Sequence, residues 1–116
     1  MSTRKRSGFE AEVGRKLGRL RRGQYAHEIE KLPYVYYYIP DYTNRRTGVI
    51  IEVKGYLDPE DIRKMRAIKK AHPDRRIVFC FQKPHQKVYK RKCTHAEWAE
   101  RNGFEWCSIE NIKEYV

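Results

Sequence analysis

Asp41, Glu52 and Lys54 are the residues whose types and spacing could do chemistry in this chain. Pro40-Asp41 is followed, after ten intervening residues, by Glu52-Val53-Lys54, and no other Glu-x-Lys occurs. On a strand, side chains alternate, so Glu52 and Lys54 leave one face while Val53 leaves the other. Two adjacent carboxylates with a lysine ~7 Å further along the strand would make a divalent-cation site with a cationic companion. Hard oxygen ligands favour Mg²⁺ or Mn²⁺ over zinc. Such a site could polarise a phosphodiester and lower the pKa of a bound water, while the lysine steadies the charge that builds on phosphorus. The same residues also fit a solvated surface hairpin with cross-strand pairs.

The elements around these residues decide between the two. Val35–Asp41 and Val49–Lys54 read as strands, separated by the polar turn Thr-Asn-Arg-Arg-Thr-Gly. A turn centred near Arg46–Thr47 makes antiparallel partners sum to about 93, which sets Asp41 across from Glu52. Upstream, Ser7 and Glu10 form a capping box that opens a helix. Phe9, Val13, Leu17 and Leu20 fall within about an 80° arc, with Arg15, Arg19 and Arg22 nearly opposite. Glu10 sits at the edge of that stripe, neither under it nor facing the arginines. Gly23 ends the helix, and Tyr25–Lys31 is ambiguous, with the alternation of an edge strand.

Downstream, Asp58, Pro59, Glu60 and Asp61 open a second helix whose apolar side is Ile62, Met65 and Ile68 and which ends at His72-Pro73. Ile77–Phe81 is a continuous apolar run, as in a buried central strand. Thr94 and Glu97 cap a third helix ending at Gly103, Phe104–Cys107 reads as a last strand, and Ser108–Tyr115 as a short terminal helix. This order predicts one α/β domain over residues 7–116, a mixed β-sheet flanked by helices, behind a basic tail over residues 1–6.

Several blocks in series resemble the phage endonuclease I family: Ser7-Gly8-Phe9-Glu10, Pro33-Tyr34-Val35, Pro40-Asp41-Tyr42, Ile51-Glu52-Val53-Lys54-Gly55, His72-Pro73, Arg76-Ile77-Val78-Phe79 and Val88-Tyr89-Lys90. The resemblance implies a restriction-endonuclease-like PD-(D/E)xK core and a Holliday-junction resolvase. It implies metal-binding carboxylates at Asp41 and Glu52, a catalytic lysine at Lys54, and the Val53 carbonyl completing one metal's shell. It also implies that Glu10 helps hold a second metal, beside the capping role its own position suggests. Mg²⁺, with Mn²⁺ as a substitute, would then be the cofactor, two ions per site. A homodimer is implied too, domain-swapped in the family through a bridge before the PD. Here the interval from Pro33 to Pro40 is shorter than the family pattern and is filled by Tyr36-Tyr37-Tyr38.

Composition agrees with a nucleic-acid partner. Lys and Arg number 26 against 15 Asp and Glu, a net charge of +11 over 116 residues. Arg4, Lys5, Arg6, Arg15 and Lys16 form one basic tract, and Lys83, Lys87, Lys90, Arg91 and Lys92 another without an acid. Both read as contacts to a DNA backbone. No apolar run exceeds five residues, so neither a membrane span nor a secretory h-region is indicated. Cys80, Cys93 and Cys107 have neither disulfide parity nor zinc spacing, as expected in a reducing cytoplasm, that of a host cell if a phage encodes the chain. Tyr36 and Tyr38 should share one strand face and serve packing or a protomer interface rather than base stacking. None of the four histidines has metal-ligand spacing. The expectation is a metal-dependent endodeoxyribonuclease acting on branched DNA. Another PD-(D/E)xK nuclease, mismatch-nicking or restriction-type, and a non-catalytic DNA-binding module are the alternatives.

Overall fold

A computed structural model describes residues 8–34 and 37–116. The basic tail, Ser7 of the expected capping box, Val35 and Tyr36 lie outside the described residues. The elements are α1 (Gly8–Leu20), β1 (Tyr25–His27), β2 (Leu32–Pro33), β3 (Tyr37–Tyr38), β4 (Tyr42–Asn44), β5 (Ile50–Lys54), α2 (Pro59–Ala71), β6 (Ile77–Phe81), α3 (His95–Arg101) and β7 (Glu105–Cys107). Five strands form a mixed sheet in the order β1-β4-β5-β6-β7, antiparallel as far as β5 and parallel beyond it.

Strand alternation divides the core into two layers. Ile50 of β5 and Ile77, Phe79 and Phe81 of β6 pack against Ile62, Met65 and Ile68 of α2 and Trp98 of α3. Their neighbours Ile51, Val53, Val78 and Cys80 face the other way, against Val13 and Leu17 of α1. Covered on both faces, β6 is buried at every position, as its unbroken apolar run requires. α2 begins with a complete capping box between Asp58 and Asp61, and α3 with one between Thr94 and Glu97. Cys80, Cys93 and Cys107 are all free and buried.

Two expected elements differ. The strand expected over Val35–Asp41 is not continuous: Tyr37–Tyr38 pairs with Leu32–Pro33 in a separate ribbon, and Tyr42–Asn44 carries the sheet pairing. Pro40 lies between the two and has no N–H to give to a ladder. Ser108–Tyr115 holds only a 3₁₀ turn at Ile112–Glu114. There the Asn111 side chain accepts from Ser108 N–H at 2.8 Å, a local bond that competes with helix formation in so short a segment.

α1 lies close on the sheet because Gly14 has no side chain. A Cβ there would sit 2.5 Å from the Tyr42 hydroxyl, which donates to the Glu10 carbonyl at 2.9 Å. Gly18, one turn on, has open space around it. The two glycines should therefore respond oppositely in thermal melts. Gly14→Ala is expected to destabilise by about 1–3 kcal/mol through overpacking, and Gly18→Ala to stabilise by about 0.5–1 kcal/mol through helix propensity. Two stabilising changes would show that α1 does not need its close approach.

Candidate active site

The β4–β5 turn sets the register on which the site depends. Asn44 Oδ1 accepts from Arg46 N–H at 2.8 Å and Thr47 N–H at 3.0 Å, an Asx turn. Gly48 completes the reversal at φ +80° and donates to the Asn44 carbonyl. Tyr42 then pairs with Ile51 and Thr43 with Ile50, the expected sum of 93. Asp41 and Glu52 come together in consequence. Asp41 N–H donates to Glu52 Oε1 at 3.3 Å, and Val53 N–H donates to Asp41 Oδ2 at 2.8 Å. Neither carboxylate belongs to a solvated hairpin, for Asp41 is 2% and Glu52 4% exposed.

Tyr38 closes the site from the small ribbon. It is fully buried, and its hydroxyl donates to Glu52 Oε1 at 2.6 Å. Lys54 Nζ stands 4.0 Å from Glu52 Oε2 and 3.0 Å from Asp61 Oδ1. Asp61 is held in turn by the α2 capping box, its Oδ2 accepting from Asp58 N–H at 3.2 Å. The helix N-terminus thus fixes the lysine's partner.

Burial, and next the charge of Asp41, push the Glu52 carboxyl up to about 8, against the opposing pull of Lys54 and the Tyr38 and Asp41 donors. Burial works against the charge on Lys54, but Glu52 and Asp61 outweigh it and its pKa lies above the usual lysine value. Lys54 is therefore a fixed cation, suited to stabilising negative charge rather than accepting a proton. Two crowded carboxylates, one of them reluctant to ionise, fit the donor set of a hard divalent cation, whose charge would relieve both burial and repulsion.

Glu10 is buried, contrary to its expected place beside the apolar stripe, because β1 brings His27 over it. His27 Nε2 lies 2.5 Å from Glu10 Oε2 and 3.4 Å from Glu28 Oε2, with the imidazole ring 5.0 Å from that of Tyr42. Ligand atoms of Glu10, His27 and Glu28 fall within 4.8 Å of one another. This group adjoins the first through the bond from Glu28 N–H to the Asp41 carbonyl at 3.1 Å.

Residues 2–113 match the sequence profile of phage endonuclease I. The chain belongs to the phage endonuclease I family. It is 33% identical over 104 residues to the Endodeoxyribonuclease 1 of Enterobacteria phage T3, covering 84% of this chain and 67% of that one. It is 30% identical over 107 residues to the Endonuclease I of Escherichia phage T7, covering 87% and 70%.

In this member of the phage endonuclease I family, the basic loop after β6 starts beside the lysine, since Gln82 N–H donates to the Lys54 carbonyl at 3.0 Å. Lys83, Lys87, Lys90, Arg91 and Lys92 are all exposed, while buried Val88 anchors the loop between them. His95 braces the loop from beneath: its Nε2 accepts from Leu57 N–H, and its Nδ1 lies 3.2 Å from the Lys83 carbonyl. On α1, Arg15 is exposed and Lys16 partly so, whereas Arg4, Lys5 and Arg6 lie outside the described residues.

Sequence reasoning missed three participants. Tyr38 was legible as a buried face but not as a donor to Glu52. Asp61 had the signal of a first-turn acid seven residues after Lys54, which a helix dipole alone explains. His27 had no spacing signal, because strand pairing brings it to Glu10.

The state of Glu52 is readable in the metal-free protein. Its folded pKa is raised, so between about 4.5 and about 8 the folded chain holds a proton that the unfolded chain has released. Stability should fall as pH rises through that window and level off above it. In EDTA, wild type is expected to lose several degrees of melting temperature between pH 6 and pH 9 relative to Glu52→Gln. Parallel curves would mean that Glu52 is ionised throughout.

Proposed function

We propose that the chain is a metal-dependent, structure-selective endodeoxyribonuclease that resolves four-way DNA junctions by paired phosphodiester hydrolysis. The observation that carries this reading is the buried contact of Asp41 with Glu52 beside a lysine held charged by Asp61. The phage relatives named endonuclease and endodeoxyribonuclease supply the substrate class, and the net charge of +11 suits a polyanion.

Asp41, Glu52 and the Val53 carbonyl would hold one Mg²⁺ or Mn²⁺, and Glu10 with its neighbours a second. Bound there, the cation supplies Lewis acidity and a water of lowered pKa. The chain's own groups do the rest. Asp41 and Glu52 orient the attacking water in line with the scissile bond, and Tyr38 and the Asp41 N–H keep Glu52 in one position. Lys54 offsets the charge that builds on the non-bridging phosphate oxygens. The water oxygen bonds to phosphorus as the bond to the 3′ oxygen breaks, leaving a 5′-phosphate and a 3′-hydroxyl.

Resolution needs cuts in two strands and each chain carries one such site among the described residues, so a homodimer with two-fold symmetry matches the junction. An exchange of segments between protomers would use the stretch between Pro33 and Pro40. Exposed cations of Lys83–Lys92 and α1 contact the backbone and give affinity without base specificity.

The test compares a four-way junction with its matched linear duplex, each in Mg²⁺ and in EDTA. Paired, metal-dependent nicks confined to the junction are expected. Lys54→Ala should lower the cleavage rate by at least 10²-fold with binding retained. Cleavage at a defined duplex sequence would make this a restriction-type enzyme, and junction binding without cleavage a binding module.

A further inference from the structure

α2 carries a row of cations that neither basic tract includes. Arg63, Arg66 and Lys70 are exposed, Lys64 is partly so, and their spacing along the helix brings Arg63, Lys64, Ala67 and Lys70 to one side. Two open cavities lie along that side. One, of about 580 Å³, is lined by Tyr34, Asp58, Glu60, Asp61, Arg63, Lys64 and Ala67, and the next, of about 450 Å³, by Arg63, Arg66, Ala67 and Lys70. Arg63 and Ala67 belong to both, so the two form one groove, acidic at its Asp58, Glu60 and Asp61 end and cationic from Arg63 to Lys70.

The groove leads to the candidate site. At its N-terminal end Asp61 bonds Lys54, and Lys64 Nζ stands 5.5 Å from the centre of the Tyr38 ring, whose hydroxyl reaches Glu52. Lys64 also lies over the Tyr38 ring, but among the described residues the other three cations have no such internal contact. Arg75 is paired with Glu30 and Arg76 with Glu105, but among the described residues Arg63, Arg66 and Lys70 enter no ion pair. Like charges three and four residues apart repel along a helix. The dipole favours cations only in the last turn, which explains Lys70 but not Arg63 or Lys64.

We propose that this groove holds the sugar–phosphate backbone of the DNA strand entering the candidate site, with Arg63, Lys64, Arg66 and Lys70 sharing about three phosphates and Ala67 leaving room for the strand. The proposal rests on the nuclease reading and adds to it a strand path distinct from the Lys83–Lys92 loop. From Arg63 to Lys70 the helix rises about 10 Å. At about 3.4 Å per nucleotide that length faces about three phosphates. The acidic end, Asp58 and Glu60, repels backbone and marks where the strand leaves the groove for the carboxylate pair.

Two measurements on the full chain in EDTA test the path without requiring cleavage. In the first, junction affinity is followed against salt for wild type and for the triple variant Arg63→Gln, Arg66→Gln, Lys70→Gln. The slope of log K against log[salt] should shrink by about 2. The second uses Ala67→Cys. Cys80, Cys93 and Cys107 are buried, so residue 67 would present the accessible thiol among the described residues, and bound DNA should slow its reaction with a maleimide several-fold. An unchanged slope, an unprotected thiol, or a wild type without salt-dependent DNA binding would overturn the proposal. Equal protection by junction and linear duplex would keep the groove and contradict junction selectivity instead.

Discussion

The unfavourable nearness of Asp41 and Glu52 is the constraint on which the rest of this structure depends. Two neighbouring acidic residues, each almost wholly buried and joined by the Asp41 N–H to Glu52 Oε1, are held against both desolvation and repulsion. Folding tolerates them because each has donors aimed at it: Val53 N–H for Asp41, Tyr38 and the Asp41 N–H for Glu52, with Lys54 beyond. These donors do not cancel the cost, as the raised Glu52 carboxyl shows. The remaining imbalance is what a divalent cation would relieve, so the strain of the metal-free site and its affinity for metal are one quantity seen from two sides.

The larger elements can be read as the means of enforcing that nearness. An Asx turn at Asn44 fixes the hairpin register, and a slip of one residue would turn Glu52 into the opposite layer. The two apolar layers pin β5 from both faces, and the α2 capping box holds Asp61 where Lys54 can reach it. On the α1 side, Gly14 admits Tyr42, and Tyr42 and His27 keep Glu10 in place beside the sheet.

Local signals carried much of this in the sequence. The hairpin register followed from turn chemistry and alternation, α2 and α3 from their caps, and β6 from an apolar run too short for most helices. Long-range partners were not legible. Glu10 looked peripheral because helical geometry alone places it at the stripe's edge, and only β1 puts His27 against it. Tyr38 looked like packing because nothing local joins it to Glu52, fourteen residues away. The strand expected before Asp41 failed at Pro40, where the missing N–H outweighed the aromatic run. Charge counting found the basic tracts but passed over α2, where cations are interleaved with the apolar residues of an amphipathic helix.

Calorimetric titration of the metal-free protein with Mg²⁺ and Mn²⁺ at pH 7, repeated in buffers of different ionisation enthalpy, tests the central claim most directly. With the Glu52 carboxyl near 8, cation binding should expel about one proton, and Glu52→Gln should abolish both the release and most of the affinity. Binding without proton release, or binding indifferent to that substitution, would contradict a metal centre built on Asp41 and Glu52.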